Sequence, residues 1–132
     1  MAQAKYQSFE NLVVWKRARE FKNEIFQLVK SFPVEEKYRL TDQLIRSSRS
    51  IPAQIAEGHG KRTNKDKIKY CIQARGSLSE TINHLIDAFD CSYITAEKLQ
   101  YFRNKIIEVE RVLNGYITYL KSSPENGDHN IS

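Results

Sequence analysis

The sequence is poor in the residues that interrupt regular structure. Its 132 residues include five glycines and three prolines, too few for the many turns of an all-β fold or for a collagen-like chain. No stretch approaches the roughly 18 uninterrupted apolar residues of a membrane-spanning helix, and the mixed polar and charged N-terminus does not resemble a signal peptide. We therefore expect one helical, cytoplasmic domain without membrane contact.

Cysteines and the signatures of catalysis are also scarce. Cys71 and Cys91 lie twenty positions apart, which is neither a disulfide framework nor a CxxC pair and indicates a reduced protein. The chain has no glycine-rich phosphate loop and no GxSxG motif. A di-iron bundle needs two Glu-x-x-His pairs, whereas Glu80, His84 and Asp87 form a single polar face that we expect to be solvated. We expect no catalytic residue, no metal site and no cofactor, in a protein that is not an enzyme.

Apolar residues recur at alternating steps of three and four along most of the chain, which predicts amphipathic α-helices. We place four helices at about residues 9–31, 40–57, 64–90 and 96–120. Helices of this length joined by short loops are typical of an all-α, up-down-up-down antiparallel four-helix bundle. The bundle would form one domain over residues 1–121, and the polar residues 122–132 are expected to be a disordered tail.

Local signals mark the ends of these helices. Pro52 lies inside the second helix, where the missing backbone hydrogen bond predicts a kink. We expect Gly58 and Gly60 to close that helix in the left-handed conformation that glycine accepts. Side-chain hydroxyls that can accept from free backbone N–H groups stand before three helices. The expected N-caps are Ser8, Thr63 and Thr95.

One charged residue falls within an apolar stripe. The stripe of the third helix reads Ile68, Cys71, Arg75, Leu78, Ile82, Leu85 and Phe89. An unpaired buried guanidinium would cost several kcal/mol, so Arg75 needs a carboxylate, and Glu57 at the end of the second helix is the best placed. We expect a partly buried structural ion pair between Glu57 and Arg75, with a functional role of the pair as the alternative.

Positive charge is concentrated in one part of the chain. The net charge is +5, and residues 61–75 alone carry six basic residues against one acid. Lysines near a helix N-terminus oppose the helix dipole, so their repeated placement suggests use by an anionic ligand. The alternative is a solvated face without a partner. The candidate nucleic-acid-binding residues, including two arginines on the outer face of the second helix, are Arg46, Arg49, Lys61, Arg62, Lys65, Lys67 and Lys69.

Six aromatic residues lie at or outside the apolar stripes, where a monomer would leave much of their area in water. Wide core stripes and turn packing explain them as well as a subunit interface does, although Tyr and Trp are enriched in interfaces. The six residues are Trp15, Tyr38, Tyr70, Tyr93, Tyr101 and Tyr119.

Several segments are similar to a known family in their order and spacing. They are residues 9–16, 32–44, 50–58, 74–80 and 93–94. The most specific is the Ser-Ile-Pro-Ala-Gln-Ile-Ala-Glu-Gly run at 50–58, because a proline inside a helical pattern followed by that exit is uncommon. The chain resembles the 23S rRNA-intervening-sequence proteins, bacterial four-helix-bundle proteins also known by a ribosomal S23 name.

The resemblance implies a bundle that assembles as a homopentameric ring, and it implies no established activity. A related group, the accessory variability determinants of diversity-generating retroelements, shares the bundle and is similar in using a basic pentamer to bind a reverse transcriptase and nucleic acid. The chain departs from the family pattern at Cys91 and Ser92, where a Leu-Gly pair is common. That departure affects the turn before the fourth helix.

Three functions remain open from the sequence. The first is a non-enzymatic, homopentameric scaffold that binds nucleic acid, with RNA as the favoured ligand, through its basic surface. The second is a protein-interaction module that docks a partner enzyme such as a reverse transcriptase. The third is a bundle that holds a small molecule or a metal. The sequence shows no recognition-helix pattern and no aromatic–basic RNA-binding motif, so nucleic-acid contacts would be largely independent of sequence.

Overall fold

Four long α-helices make up most of the chain in the computed structural model, which describes residues 8–124. The helices are α1 (Val13–Leu28), α2 (Leu40–His59), α3 (Asn64–Asp90) and α4 (Ala96–Ser122). Short 3₁₀ turns occupy Phe9–Asn11, Val29–Ser31 and Val34–Glu36. No strand occurs among the described residues, so the prediction of an all-α four-helix fold is confirmed.

Each helix packs against the next one in sequence, and α4 closes the bundle against α1. Arg17 near the start of α1 pairs with Glu108 in the middle of α4, whereas Glu24 further along α1 meets Tyr101 near the start of α4. The two helices therefore run antiparallel, as an up-down-up-down bundle requires. None of the described helices is long and apolar enough to cross a membrane. The largest fully buried apolar side chains are Phe21, Ile25, Leu44, Ile51, Ile55, Leu78, Leu85 and Leu113.

Two of the three expected N-caps stand at the start of the helices for which they were predicted. Thr63 Oγ1 accepts a hydrogen bond from the backbone N–H of Asp66, and Thr95 Oγ1 accepts one from the N–H of Lys98, both at 3.1 Å. Each bond satisfies a donor that the first helical turn cannot pair internally. The N-cap predictions for α3 and α4 are therefore confirmed.

The boundaries of the first and last helices differ from the predicted ones. Ser8 caps the 3₁₀ turn, accepting from the N–H of Glu10, and α1 begins only at Val13. At its other end α1 gives way to a 3₁₀ turn that continues to Ser31, just before the helix-incompatible Pro33. Helix α4 extends through Ser122, and residues 125–132 of the expected tail lie outside the described residues.

The expectation that glycines close α2 in a left-handed conformation is wrong. Helix α2 runs through the buried Pro52 and includes Gly58, and Gly60 has a φ of −77°. Among the described residues the only positive φ belongs to Ser92, at 65°, in the turn before α4. In the family that the chain resembles, glycine is common at this position, and glycine adopts such a φ without the steric cost that a Cβ imposes.

Small polar side chains line the contact between α2 and α3. Ser50 Oγ and Ser77 Oγ lie 2.9 Å apart, and one turn further along Thr81 Oγ1 lies 2.9 Å from Ser47 Oγ. Ser47 and Thr81 are fully buried, so these bonds satisfy hydroxyls that water does not reach. We call this contact the α2–α3 seam, and it fixes the register of the two helices.

Gly58 has its structural role at the end of the α2–α3 seam. A Cβ at this position would lie 2.7 Å from Cβ of Tyr70 and 3.3 Å from the carbonyl oxygen of Lys67. Real Cβ atoms do not approach each other so closely, so only glycine lets the end of α2 reach the first turns of α3. The glycine is required for this close approach, not for a left-handed helix end.

We expect Gly58→Ala to lower the free energy of unfolding by about 1–3 kcal/mol, because the clash with Tyr70 outweighs the better helix propensity of alanine. The measurement is chemical denaturation followed by circular dichroism. Gly60→Ala is the matched control, since its added Cβ would meet Glu57 O at an ordinary 3.5 Å. Equal stabilities of the two variants would contradict the close approach.

Candidate nucleic-acid interface

The predicted basic segment lies at the end of the bundle where α2 turns into α3. Lys61 and Arg62 lie in the loop, and Lys65 and Lys69 lie one turn apart on α3, where both are exposed. The free N–H groups at the start of α3 lie at the same end and add a partial positive charge. These four cations lie at the same end of the bundle, and we call them the basic region of α3; Asp66 lies beside Lys65 and Lys69 in the lining of one depression.

The pair formed by Lys65 and Lys69 flanks an apolar depression on α3. The depression has a volume of about 440 Å³, and Ile68 and Ile72 contribute to its lining. Ile72 is 48% exposed, and Ile68 packs partly on the core. The lysine pair thus stands at the edge of an apolar strip that the described part of the chain leaves uncovered.

Lys67 lies on a different side of α3 from the lysine pair. It lines a second depression of about 420 Å³, between the start of α3 and the end of α4, together with His59, Tyr116 and Tyr119. The rings of Tyr116 and Tyr119 are stacked at 6.4 Å, and burial raises the pKa of Tyr116 to about 12. The Asn64 amide donates to Leu120 O at 3.0 Å and holds the two helix ends together.

The two arginines of α2 lie apart from the basic segment. Arg46 and Arg49 are exposed, as predicted, but eleven residues separate Arg49 from Gly60, which is about 16 Å along a helix. The guanidinium of Arg49 lies over the ring of Phe26 on α1, 5.6 Å from its centroid. One chain therefore presents two separate basic surfaces, whereas the seven predicted binding residues suggested a single surface.

None of the ion pairs among the described residues involves a cation of the basic segment. The ion pairs found within residues 8–124 join Arg17 to Glu108, Lys105 to Glu24, and His84 to Glu80. Lys61 instead lies over the ring of Tyr70, 5.1 Å from its centroid. The charges of the segment are therefore available to an anion from solution.

The predicted pair of Glu57 and Arg75 is wrong. Arg75 donates to Asn114 Oδ1 on α4 at 2.8 Å, and no ion pair of the described residues joins it to Glu57. The buried stripe of α3 shares Cys71, Leu78 and Leu85 with the predicted one. It takes Ala74, Thr81 and Ala88 in place of Arg75, Ile82 and Phe89. Arg75 consequently lies half-buried at the border facing α4, where a neutral amide is sufficient to satisfy it.

The face of Glu80, His84 and Asp87 also differs from its prediction. Glu80 and Asp87 are exposed, but His84 is buried, and its Nε2 lies 3.4 Å from Glu80 Oε2. No cluster of three His, Cys, Asp or Glu side chains able to hold a metal occurs in the described part of the chain. Both thiols are free: burial raises the pKa of Cys71 to about 11, whereas Cys91 is exposed.

Three of the six aromatic residues are partly buried and three are exposed. Tyr93 packs on Phe32 and donates to Glu36 Oε2 at 2.8 Å, so it belongs to the turn packing. Trp15 and Tyr70 are half-buried. The other three remain largely in contact with solvent, with exposures of 82% for Tyr38, 62% for Tyr119 and 44% for Tyr101.

The cations beside Trp15 and Phe26 were not predicted from the sequence. Arg19 lies over Trp15, and Lys30 lies over the ring of Phe26, which Arg49 also contacts from α2. The sequence carried one signal of this arrangement, because a basic residue follows each ring by four positions. The contact of Arg49 with Phe26 depends on how two helices pack, so the spacing of residues along one helix could not predict it.

The chain has clear relatives. The family model described as 23S rRNA-intervening sequence protein matches residues 10–115. Among solved structures, the chain is similar to a protein of unknown function from the S23 ribosomal protein family of Bacteroides thetaiotaomicron. The two share 29% sequence identity with a TM-score of 0.74, over 80% of this chain and 96% of that chain. No curated protein matches the chain.

A double-mutant cycle distinguishes the two possible partners of Arg75. We expect Arg75→Ala and Asn114→Ala to be non-additive in the free energy of unfolding by about 0.5–1 kcal/mol, because each removes the same hydrogen bond. Arg75→Ala and Glu57→Ala should instead be additive. Coupling to Glu57 that exceeds coupling to Asn114 would contradict the observed contact.

Proposed function

The chain belongs to the 23S rRNA-intervening sequence protein family, and we propose that it is a non-enzymatic, homopentameric scaffold. This scaffold binds nucleic acid, with RNA as the favoured ligand. Binding uses basic surface side chains and depends little on base sequence. The observation that supports this most directly is the basic region at the start of α3, where Lys61, Arg62, Lys65 and Lys69 lie together.

The chemistry of this region suits a phosphate backbone. Lysines and arginines that neutralise phosphates release condensed counterions, and this favours binding to any sequence. The N–H groups at the start of α3 add the donors that helix N-termini offer to phosphates. The opposite end of the bundle carries exposed acids, including Glu35, Asp90 and Glu97, so a polyanion would approach the α2–α3 end.

Repetition in a ring would strengthen such a site. One chain offers only a few phosphate contacts, and each exposed contact is weak at physiological salt. Several copies held in one assembly convert later contacts into intramolecular ones and raise the overall avidity. A scaffold of this kind needs neither a recognition helix nor a deep pocket.

Two glycines support close contact between copies. Gly76 on α3 and Gly115 on α4 are exposed, and a Cβ added at either would meet nothing within 4 Å. A glycine inside a helix costs about 1 kcal/mol relative to alanine, and here no contact within the described chain explains that cost. Exposed Ile72 lies one turn before Gly76, and exposed Ile107 lies two turns before Gly115, so each glycine adjoins apolar surface that a second copy could cover.

Light scattering coupled to size-exclusion chromatography should give a mass near five times 15.4 kDa. We expect the double variant Gly76→Ala, Gly115→Ala to weaken the assembly, because the added methyl groups would keep two helix surfaces apart. In a monomer the same change would raise stability by roughly 1–2 kcal/mol. A 15.4 kDa wild-type monomer that the variant merely stabilises would refute the ring.

The lysine pair is tested by titration of labelled RNA and DNA at several salt concentrations. We expect Lys65→Ala, Lys69→Ala to weaken binding similarly across sequences and to flatten the slope of log K against log salt by about 0.7–0.9 per lost contact. Lys67→Ala, on another side of α3, should have a smaller effect. The matched control is Lys37→Ala, Lys98→Ala, which removes the same charge from exposed positions at the acidic end.

Equal effects of the two double variants would show that only net charge matters and would remove this region as the binding surface. Unchanged affinity and slope in an intact ring would have the same consequence. The remaining function would then be docking of a partner protein, and co-purification at high salt would identify it. Binding that survives high salt argues against phosphate contacts as its source.

A further inference from the structure

Helix α1 and the 3₁₀ turn that follows it present a row of aromatic and cationic side chains. Successive members are four, three, four and four residues apart, which keeps them on one face of the helix. Arg49 joins the row from α2 by lying over Phe26. We call this surface the α1 stripe, and its members are Trp15, Arg19, Lys22, Phe26, Lys30 and Arg49.

A cation lies over each ring of the α1 stripe, although Trp15 also packs partly on the core. Arg19 Cζ lies 5.6 Å from the centroid of Trp15, and Lys30 Nζ lies 5.0 Å from the centroid of Phe26. Phe26 is 40% exposed, while one side of Trp15 packs against Phe9 at 5.1 Å. Long cationic side chains move easily, so a ligand can displace them from the rings without disturbing the fold.

The stripe is mostly basic. Glu24 lies on the other side of α1, where it accepts from Tyr101 and pairs with Lys105 of α4. Around Trp15 and Arg19 the surface is mixed, because Glu10 and Glu20 line the same depression. Further along, the stripe carries Lys22, Lys30 and Arg49, so most of its length is complementary to a polyanion.

The ligand that matches both features carries phosphates and flat rings. Proteins that bind single strands combine a positive groove along the backbone with aromatic side chains on which bases stack. Trp15 and Phe26 are eleven residues apart, about 16 Å along the helix, which is about five nucleotides at the 3.4 Å spacing of a stacked strand. A duplex keeps its bases stacked on each other and would offer the rings nothing.

We propose that the α1 stripe is a binding site for single-stranded nucleic acid, in which its two rings stack on bases and its four cations contact phosphates. The inference rests on the proposed nucleic-acid-binding function and assigns it a second surface, separate from the basic region of α3. On binding, the cations that lie over the rings in the free protein move to contact phosphates. The exposed ring faces then stack on bases. The site distinguishes single strands from duplexes but not one base from another.

The test uses the full chain in its native assembly and a single-stranded oligouridylate or oligothymidylate of about 12 nucleotides, with a duplex of equal length as comparison. Trp15 is the only tryptophan in the sequence, so its emission reports directly on the stripe. We expect the single strand to quench this emission, and the duplex to leave it unchanged while still binding at the α3 region.

Phe26→Leu keeps apolar bulk but removes the aromatic face, so it should weaken single-strand binding about ten-fold and leave duplex binding unchanged. Tyr38→Leu is the matched control, because Tyr38 is 82% exposed and also carries a lysine over its ring, Lys37 at 5.3 Å. Its single-strand affinity should equal that of the wild type. If Phe26→Leu does not fold, Arg49→Gln tests the stripe from the α2 side.

The outcomes separate this inference from the function on which it rests. Single-strand binding that Phe26→Leu and Arg49→Gln both leave unchanged would overturn the α1 stripe and leave the α3 region standing. Failure of the protein to bind either probe at low salt would overturn the proposed function itself. Emission of Trp15 that changes with protein concentration and not with oligonucleotide would show that a second copy covers the stripe, which also overturns the inference.

Discussion

Close contact between α2 and α3 governs the geometry of the rest of the molecule. Serine and threonine side chains bond across the seam, and Gly58 lets the end of α2 touch Tyr70 without an intervening side chain. The paired hydroxyls fit one alignment, because a shift along the helices would break both hydrogen bonds across the seam at once. The turn between the two helices is thereby fixed, and with it the place where Lys61 and the start of α3 meet solvent.

Helix periodicity predicted four elements and their order, but at three positions of α3 it chose the residue that follows the buried one. Large residues such as Ile72 and Phe89 dominate a hydrophobic pattern, and both prove to be substantially exposed. The positions that face the seam are small, as at Ala74 and Thr81, since large side chains would hold the helices apart. The same reason explains why Arg75 was assigned a carboxylate that it does not need.

The candidate site was predictable only as far as spacing along one helix allows. Lys65 and Lys69 share a face because four residues make about one turn, and this required no tertiary information. The same spacing places Lys67 about 200° around α3 from Lys65. Its neighbours Tyr116 and Tyr119, however, depend on where α4 ends, and the contact of Arg49 with Phe26 depends on how α1 lies on α2. Charge counted along the chain located a basic segment but could not resolve it into surfaces.

The unequal surroundings of the two thiols make this chain suited to site-specific chemistry. Reagents such as maleimides react with accessible thiolate, so the buried Cys71 should remain unmodified while the exposed Cys91 accepts one dye or spin label per chain. Cys91 directly follows α3, about 40 Å along that helix from the lysines at its start. In any assembly of copies, distances between such labels would report the symmetry and size of that assembly without altering either basic surface.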